Sequence, residues 1–391
     1  MPLGISILNI EGYAVTNISG RNPVIIEAIY TKKAKCPFCG QNTLRMKDKY
    51  IRKLNHESIG YRRTKLYLTA CKYHCLSCNR YFNQRFPGIL KYKRSTEGFR
   101  YEVFEKHNNG HTQSYLSKSL KIGSATVERW YHDYLAKKVS NFKNRSCPRV
   151  IGIDEHYFSR RYGYATTICD LSRHKVFDLT LGRSQKTLEH YFNKLNGKES
   201  VQVVVMDLSD TYRNIVKEHF PNAMIVTDRF HVIRLINHHF LGVWANIDPV
   251  GRKNRGLLSL MRRHRRNLKP EQILKLNRYF KERPEIKAIY DFKQSLCSLM
   301  MAKKKTAKQC RKLIPIFLDY VARLKDSMLD LMVTLGKTLE LWEREVVRMF
   351  RFTKSNGITE GFHNKMEMIS RRAYGFRNFE NYRLRVRALC C

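Results

Sequence analysis

Four of the eleven cysteines occur in two pairs, each with a two-residue gap. The pairs are Cys36-Pro-Phe-Cys39 and Cys75-Leu-Ser-Cys78. This gap lets both thiolates of a pair turn toward one ion, and two pairs supply the four sulfur ligands of a structural zinc site. The alternative is four unrelated buried cysteines, and Cys71 and His74 are near enough to compete as ligands. The pattern predicts Zn²⁺ bound by Cys36, Cys39, Cys75 and Cys78 in a ribbon of short β-strands.

Aspartates that follow short apolar runs form a second group of chemically suggestive residues. The run Val150–Ile153 ends at Asp154, and the run Val201–Met206 ends at Asp207. If the runs are neighbouring strands, the two carboxylates meet at one edge of a sheet. Phosphodiester chemistry uses two divalent cations to activate the attacking oxygen and to stabilise the leaving one, and hard ions take oxygen ligands. The pattern therefore predicts a site for two Mg²⁺ or Mn²⁺ ions.

A third acidic ligand is expected after the last strand, on a helix that crosses the sheet. The segment 355–365 reads as a turn that enters a helix, with Glu360 and Asn364 on one polar stripe. The opposite stripe is apolar and can pack on the sheet while Glu360 and Asn364 point into the metal site. Arg371 and Arg372 follow and could hold phosphates. The alternative is a capped surface helix in which Glu360 favours the positive N-terminus.

The elements that must position these carboxylates read as three strands followed by alternating helices and strands. The predicted strands are Val150–Ile153, Tyr162–Cys169, Lys175–Leu181, Val201–Met206 and Ala223–Thr227, which ends at Asp228. The predicted helices are Gln185–Leu195 and Tyr212–Phe220. The order βββαβαβ predicts an α/β catalytic domain of the ribonuclease-H-like class.

Two helices separated by a glycine-containing turn precede this domain. Helical spacing is found from His111 to Leu120 and again from Ala125 to Lys138, with Ser124 as the expected cap of the second helix. The pattern is typical of a helix-turn-helix, although an ordinary helical hairpin gives the same signal. In the helix-turn-helix interpretation, two groups of side chains contact DNA. The predicted contacts are Ser124, Thr126 and Arg129 in the major groove and Thr112 and Gln113 on phosphates.

The charge of the chain points to a polyanionic partner. Lys and Arg number 74 against 33 Asp and Glu, which gives a formal net charge of +41. The excess is spread along the whole chain and no apolar run is long enough to span a membrane, so we expect a cytoplasmic protein that binds double-stranded DNA. Two basic runs are expected to contact the DNA backbone, although such runs are usually solvated faces. They contain Arg262, Arg263, Arg265, Arg266, Lys303, Lys304 and Lys305.

Taken together, these motifs resemble those of the ISL3 family of insertion-sequence transposases. The resemblance rests on Cys36-Pro-x-Cys39-Gly40 with Cys75-x-x-Cys78, Ile151-Gly-Ile-Asp154-Glu155, Met206-Asp207-Leu-Ser, Thr227-Asp228-Arg-Phe-His231 and Asn356-Gly-x-Thr-Glu360-Gly. It implies a DDE transposase whose catalytic triad is Asp154, Asp207 and Glu360, with Asp228, His231 and Asn364 in supporting positions. The long helical stretch between Asp207 and Glu360 then corresponds to an insertion domain.

The resemblance also implies an organisation and a mechanism. We expect a zinc ribbon at 1–90, a helix-turn-helix at 91–147 and a catalytic domain at 148–391 that is interrupted by a basic helical insertion at about 235–350. The first two domains would bind the terminal inverted repeats, and the third would cut and join DNA with Mg²⁺ or Mn²⁺. Because two element ends must be paired, a homodimer or higher oligomer is expected. The competing hypotheses are a non-catalytic DNA-binding regulator and a nuclease or resolvase of the same fold.

Overall fold

The chain divides into two compact units of mixed α/β structure. In the computed structural model, the described residues are 7–140, 145–303, 306–352 and 357–391. The first unit comprises Met1–Asn141 with Arg372–Tyr374, and the second comprises Phe142–Arg371 with Gly375–Cys391. Among the described residues, every α-helix is too short or too polar to be a membrane-spanning segment.

A five-stranded sheet forms the first part of the first unit. Its strands are β1 (Tyr13–Ser19), β2 (Val24–Tyr30), β3 (Leu44–Ile59), β4 (Arg62–Cys75) and β5 (Tyr81–Asn83). They lie in the order β1-β2-β4-β3, and β5 pairs with the end of β4. The sequence predicted short strands between the cysteine pairs, whereas β3 and β4 form one long hairpin. The hairpin is long because Leu54, Leu66 and Leu68 continue the alternation and are buried in the same hydrophobic core as Ile26 and Ala28 of β2.

In the described part of the first unit, three helices follow the sheet: α1 (Glu97–Asn108), α2 (Gln113–Leu120) and α3 (Ser124–Ser140). The hydroxyl of Thr112 caps α2 by accepting a hydrogen bond from the backbone N–H of Tyr115. Lys121, at φ +54°, ends α2 in the left-handed conformation. The sequence placed Ser124 as the cap of α3, but Ser124 is its first residue and the carbonyl of Gly123 accepts the hydrogen bond from Val127. The two predicted helices and their short turn are thus present, with α3 starting one residue earlier.

The second unit is built on another five-stranded sheet. Its strands are β6 (Val150–Ser159), β7 (Gly163–Asp170), β8 (Lys175–Leu181), β9 (Val203–Met206) and β10 (Met224–Thr227). Their order is β10-β9-β6-β7-β8; the pairs β6·β7 and β7·β8 are antiparallel, and β6·β9 and β9·β10 are parallel. Helix α4 (Gln185–Asn193) precedes β9, and α5 (Asp210–His219) precedes β10. The elements therefore follow one another in the predicted order.

The length of β6 differs from the prediction. The sequence placed Asp154 at the end of a short strand, but β6 continues to Ser159. Only Val150–Gly152 pair with β9, and beyond them β6 runs on as a hairpin with β7, in which Asp154 lies opposite Thr167. The strand persists because β7 satisfies its backbone hydrogen bonds beyond the point where β9 ends.

Helices occupy the described chain between β10 and the C-terminal segment. They are α6 (Arg229–Ile247), α7 (Pro249–Lys253), α8 (Arg255–Arg262), α9 (Pro270–Glu282), α10 (Pro284–Met301), α11 (Ala307–Arg311), α12 (Leu313–Lys325), α13 (Asp330–Leu341) and α14 (Glu343–Arg351). Two further helices follow, α15 (Gly357–Arg372) and α16 (Phe379–Cys390). The buried side chains of the sheet and of these helices form one continuous hydrophobic core.

A buried ion pair and a hydrogen bond attach α14 to α5 and to the edge of the sheet. The guanidinium of Arg213, on α5, donates from Nε and Nη2 to the two carboxylate oxygens of Glu345, both at 3.0 Å. The same guanidinium lies 4.5 Å from the ring centre of Trp342. Arg348 donates to the carbonyl of Ile225 on β10 at 3.2 Å. Helix α14 thereby covers the edge strand β10 and leaves less of that edge open to pairing with another chain.

Replacing Glu345 with alanine leaves the half-buried Arg213 guanidinium without its carboxylate. We expect the free energy of unfolding to fall by about 3–5 kcal/mol, the usual cost of breaking one partner of a buried pair. Urea unfolding followed by circular dichroism measures the change. The matched control is Asp319→Ala, which breaks the exposed Arg323–Asp319 pair and should change stability by less than about 1 kcal/mol. Equal losses in the two variants would contradict the anchoring role.

Candidate active site

The four paired cysteines converge at one end of the β3–β4 hairpin. Cys36 and Cys39 lie on a tight turn in which the N–H of Gly40 donates to the carbonyl of Cys36, with Gly40 at φ +75°. Cys75 is the last residue of β4, and Cys78 lies on the turn that follows. The Sγ atoms of Cys36 and Cys78 are 3.6 Å apart, as are those of Cys39 and Cys75.

These sulfur positions match a tetrahedral zinc site. All four Sγ atoms lie within 4.8 Å of one another. Four ligands at a Zn–S distance of about 2.3 Å place neighbouring sulfurs about 3.8 Å apart. Desolvation opposes ionisation of Cys36, but hydrogen bonds from the backbone of Cys39 and Phe38 and from the Cys78 thiol lower its pKa to about 6. The thiolate is the form that binds metal, so the arrangement fits a structural Zn²⁺ ion.

The two competing ligands lie outside this cluster. Nε2 of His74 is 2.7 Å from the side-chain oxygen of Asn79, and its ring stacks on Tyr81 with 4.4 Å between ring centres. Cys71 is half-buried within β4. Neither residue belongs to the group of four that could share one ion.

Cys36→Ser removes one of the four thiolates. We expect the zinc content to fall from about one ion per chain to well below half, because structural zinc needs all four ligands. The β3–β4 hairpin should then lose its cooperative thermal transition, since metal-binding free energy contributes to folding. Mass spectrometric metal analysis and thermal unfolding measure both effects. Cys71→Ser, also in the β3–β4 hairpin, should keep its zinc; full zinc content in Cys36→Ser would refute the four-cysteine site.

In the second unit, the ladder of parallel strands brings three aspartates to one level. Gly152 pairs with Val205, so Asp154 and Asp207 each lie two residues beyond the same rung. On the other side of β9, Thr227 pairs with Met206, so Asp228 and Asp207 are both one residue further on. Neighbouring strands are about 4.8 Å apart, so the three carboxyl groups start from adjacent positions.

Burial and mutual repulsion hold protons on two of these carboxyl groups. Desolvation, reinforced by the negative charges of Asp228, Glu155 and Glu360, raises the pKa of Asp154 to about 7. Desolvation, with repulsion from Asp154 and Asp228, raises the pKa of Asp207 to about 8. Three aspartates concentrated in a site of low polarity favour either bound protons or a bound cation.

His231 places a ring nitrogen beside the carboxyl groups of Asp207 and Asp228. It lies on the first turn of α6, with Nε2 at 3.0 Å from Oδ1 of Asp207 and 3.9 Å from Oδ2 of Asp228. Burial lowers its pKa, which favours the neutral imidazole. Oδ1 of Asp207 is buried, and although His231 approaches it to 3.0 Å, the angle of this contact is not that of a hydrogen bond. Ligand atoms of Asp154, Asp207 and His231 lie within 4.8 Å of one another, so oxygen and nitrogen donors fit a divalent cation.

Glu360 reaches this site from a distant part of the chain. It lies in the first turn of α15 and lines a cavity of about 170 Å³ together with Asp154, Asp228 and His231. The apolar stripe of α15 packs on the core, as the sequence predicted; its members are Ile358, Phe362, Met366 and Ile369. The turn residues Ser355 and Asn356 lie outside the described residues.

A histidine that the sequence analysis missed also faces Asp154. Nδ1 of His363 is 3.7 Å from Oδ2 of Asp154, and its Nε2 is 3.2 Å from the hydroxyl of Thr167. Burial lowers the pKa of His363 to about 4, so the ring is neutral. The sequence predicted that Asn364 would face the site, but Asn364 is exposed and is absent from the described lining of the cavity. The signal that was missed is the spacing of three residues between Glu360 and His363. Like the spacing of four between Glu360 and Asn364, it places two side chains on one face of a helix.

Four further residues of the cavity were not predicted as site residues. They are Glu155, Phe230, Arg234 and Gly357. Glu155 is paired with Arg183, whose Nη1 lies 3.0 Å from its carboxylate. Phe230 and Arg234 lie on α6 on either side of His231; Phe230 falls within the motif Thr227–His231, although only Asp228 and His231 of that motif were assigned a role, and Arg234 lies outside it.

Comparison with known proteins identifies the family. A transposase family model of the ISL3 type matches residues 151–386, and a model described as the zinc finger of the transposases of IS204, IS1001, IS1096 and IS1165 matches residues 32–78. The first match covers more than half of the chain. The chain belongs to the ISL3 transposase family.

Curated relatives of this ISL3 transposase are described as transposases of insertion sequence elements. The transposase of insertion sequence IS1001 from Bordetella parapertussis is 22% identical over 395 residues, which cover 97% of this chain and 95% of the relative. The transposase of IS1557 from Mycobacterium tuberculosis is 24% identical over 298 residues, which cover 66% of this chain and 62% of the relative. The first of these alignments spans both units of the chain.

The residues predicted to contact DNA in the first unit lie on α2 and α3. Ser124 and Arg129 are exposed at the start of α3, and Nη2 of Arg129 is 3.4 Å from the hydroxyl of the half-buried Thr126. Thr112 uses its hydroxyl as the cap of α2, and Gln113 is the first residue of that helix. Their contacts with DNA remain a prediction.

The remaining predicted DNA contacts are arginines and lysines, and the described ones lie at or just beyond helix ends. Arg262, Arg263, Arg265 and Arg266 are exposed at the end of α8 and in the short 3₁₀ turn after it. Lys303 is exposed after α10, and Lys304 and Lys305 lie outside the described residues. Arg371 and Arg372 are exposed at the end of α15, and Arg371 is paired with Glu367 at 2.6 Å.

The raised pKa values of Asp154 and Asp207 predict that cation binding releases protons. Below pH 7 both carboxyl groups hold protons in the metal-free site, and a cation must displace them. The affinity for Mg²⁺ should therefore rise between pH 6 and pH 8.5, a range that spans both values, and level off above it. Isothermal calorimetry in buffers of different ionisation enthalpy measures the protons released. Asp207→Asn should release fewer protons, and a Mg²⁺ affinity independent of pH would refute the assignment.

Proposed function

We propose that this ISL3 transposase binds the terminal inverted repeats of an insertion sequence and catalyses metal-dependent DNA strand cleavage and strand transfer. The observation that supports the proposal is that Asp154 adjoins Asp207 in the sheet and shares a cavity with Glu360. The two aspartates lie at one level of adjacent parallel strands, and Glu360 lines the same cavity as Asp154 although it comes from α15. A DDE triad needs such convergence of three carboxylates from separate elements.

The proposed catalytic fold is ribonuclease-H-like. Its support is the strand order β10-β9-β6-β7-β8, with three antiparallel strands first and two parallel strands added through α4 and α5. The helices from α6 to α14 separate β10 from the helix that bears Glu360. In this interpretation the residues at about 235–350 form a helical insertion, and the zinc ribbon and the helix-turn-helix precede the catalytic domain.

In the proposed reaction, Asp154, Asp207 and Glu360 would hold two Mg²⁺ or Mn²⁺ ions, with His231 and Asp228 beside them. When bound, such ions activate the attacking oxygen and stabilise the leaving oxygen of a phosphodiester. His363 lies 3.7 Å from the Asp154 carboxylate, and His231 lies against that of Asp207. The partial burial of these carboxylates keeps bulk water away from the charges that must be compensated.

The covalent changes occur at phosphorus alone. Water attacks the phosphodiester at the element end, the bond from phosphorus to the 3′-oxygen breaks, and that oxygen leaves as a 3′-hydroxyl. The 3′-hydroxyl then attacks a phosphodiester of the target DNA and displaces another 3′-oxygen. One bond forms and one breaks in each step, so the joining step requires no energy source and no covalent enzyme intermediate.

DNA binding is assigned to the basic surfaces and to the first unit. The net charge of +41 favours a polyanion, and the exposed arginines after α8 and at the end of α15 are placed to neutralise phosphates. The zinc ribbon and α3 would bind the element ends. Because two ends must be paired before they are joined, we propose that the active form is a homodimer or a higher oligomer.

Cleavage of a labelled duplex that carries the end of the element and its flank tests the proposal. Wild-type protein should cut at the element boundary with Mg²⁺ or Mn²⁺ and should be inactive when these ions are omitted. Asp207→Asn should lower the cleavage rate at least about a thousandfold, because the loss of a charge-stabilising group typically costs 10²–10³ and this one also removes a cation ligand. DNA affinity, measured by fluorescence anisotropy, should be unchanged.

The matched control is Asp210→Asn, an exposed aspartate three residues further along the chain. It should cut at the wild-type rate. Specific binding without cutting by a folded, zinc-loaded wild-type protein would favour a DNA-binding regulator. Metal-dependent cutting that yields no joined products with target DNA would favour a nuclease or resolvase.

A further inference from the structure

Phe230 is an exposed aromatic ring at the carboxylate cavity. It lies on the first turn of α6 and is 53% exposed, although it lines the cavity with Asp154, Asp228 and Glu360. Its ring meets the ring of His231 edge to face, with 5.5 Å between centres. Single exposed hydrophobic residues are ordinary. However, the cations and the phosphate group proposed for this cavity would not give the Phe230 ring a flat group to stack on.

Arg234 lies one helical turn beyond Phe230 on the same face of α6, because residues four apart are neighbours on a helix. It is exposed and is the lone Lys or Arg among the described residues that line the cavity. Within the described part of the chain, no carboxylate oxygen lies within 4.0 Å of its guanidinium. An exposed arginine that no carboxylate holds, at the edge of an anionic cavity, can bind a phosphate that approaches the carboxylates.

We infer that Phe230 and Arg234 form a nucleotide-binding subsite, in which Phe230 stacks on an unpaired base next to the scissile bond and Arg234 binds a phosphate of the same strand. The inference rests on the proposed function and adds the conformation of the DNA at the scissile bond. A phenyl ring can cover the face of a base only when that base has left the duplex stack. The subsite therefore requires the DNA to be locally unpaired at the element end.

The pairing of ring and guanidinium favours a nucleic acid strand over a protein partner. Successive nucleotides offer a flat aromatic face and an anionic phosphate, which are the two groups that an aromatic residue and an arginine bind side by side on single strands. The alternative occupant of Phe230 is a second copy of this chain. That arrangement would bury Phe230 in the absence of DNA.

The test for Phe230 is a double-mutant cycle between the protein and the DNA. Phe230→Ala should lower kcat/KM for cleavage about tenfold, the effect of losing one base–aromatic stack. The substrates are duplexes with one abasic nucleotide at each position near the cleavage site. At one position the difference between wild type and Phe230→Ala should disappear, because either change removes the same contact. Phe230→Trp should restore cleavage.

Arg234 is tested in the same way with neutral methylphosphonate linkages. Arg234→Ala should lower kcat/KM and reduce the slope of log affinity against log salt by about one, since one phosphate contact is lost. One methylphosphonate position should make wild type and Arg234→Ala equivalent. Leu274 and Arg278 of α9 supply the controls, because they are exposed and have the same spacing of four residues. Leu274→Ala and Arg278→Ala should cut at the wild-type rate.

The possible outcomes separate this inference from the proposed function. If wild-type protein does not cut any duplex, the proposed function fails and the inference fails with it. If wild type cuts but the ratio of wild type to Phe230→Ala is the same on every duplex, the nucleotide subsite alone is refuted. If Phe230→Ala instead dissociates a DNA-free oligomer in sedimentation velocity, a second copy of the chain covers Phe230 and the inference is wrong.

Discussion

The close approach of desolvated carboxyl groups is the interaction on which the candidate site of the second unit depends. Asp154, Asp207 and Asp228 occupy one level of three adjacent parallel strands, and their mutual repulsion raises the pKa of Asp154 and Asp207. Such a group is unfavourable unless protons or cations compensate it. Backbone hydrogen bonds keep the three carboxyl groups together, because the register of β6, β9 and β10 leaves them no other arrangement. The site is thus held open for a cation by the sheet itself.

The helices around this sheet supply the residues of the site that do not come from the strands. Helix α6 begins directly after β10 and brings His231 against Asp207, while α15 brings Glu360 and His363 from a remote part of the chain. The Arg213–Glu345 ion pair holds α14 on α5, and the hydrogen bond from Arg348 to the carbonyl of Ile225 holds it on the edge of the sheet, just before α15. A long helical segment can therefore be accommodated between β10 and α15 without loss of the site, because both of its ends are attached to the same sheet.

Much of this arrangement could be predicted from local patterns, and the failures have a common cause. Asp207 was predicted at a strand end because a buried apolar run stops there, and the cysteine spacing predicted the four-sulfur cluster. Asn364 was predicted to face the site and His363 was missed, because spacings of three and four residues both keep side chains on one helix face. The rotation of α15 about its axis decides between them, and it is set by the packing of Met366 and Ile369 in the core.

The sequence by itself determined the types and order of the elements, the zinc ligands, the two aspartates that follow apolar runs and the family of the chain. These features depend on alternation, helical periodicity and spacing within a few residues, which act locally. The tertiary structure decided the length of β6, the Arg213–Glu345 contact, the place of His363 beside Asp154 and the position of Phe230 and Arg234 at the cavity. Each of these depends on which distant surfaces pack together, and the free energy of that packing is a property of the whole fold rather than of any short segment.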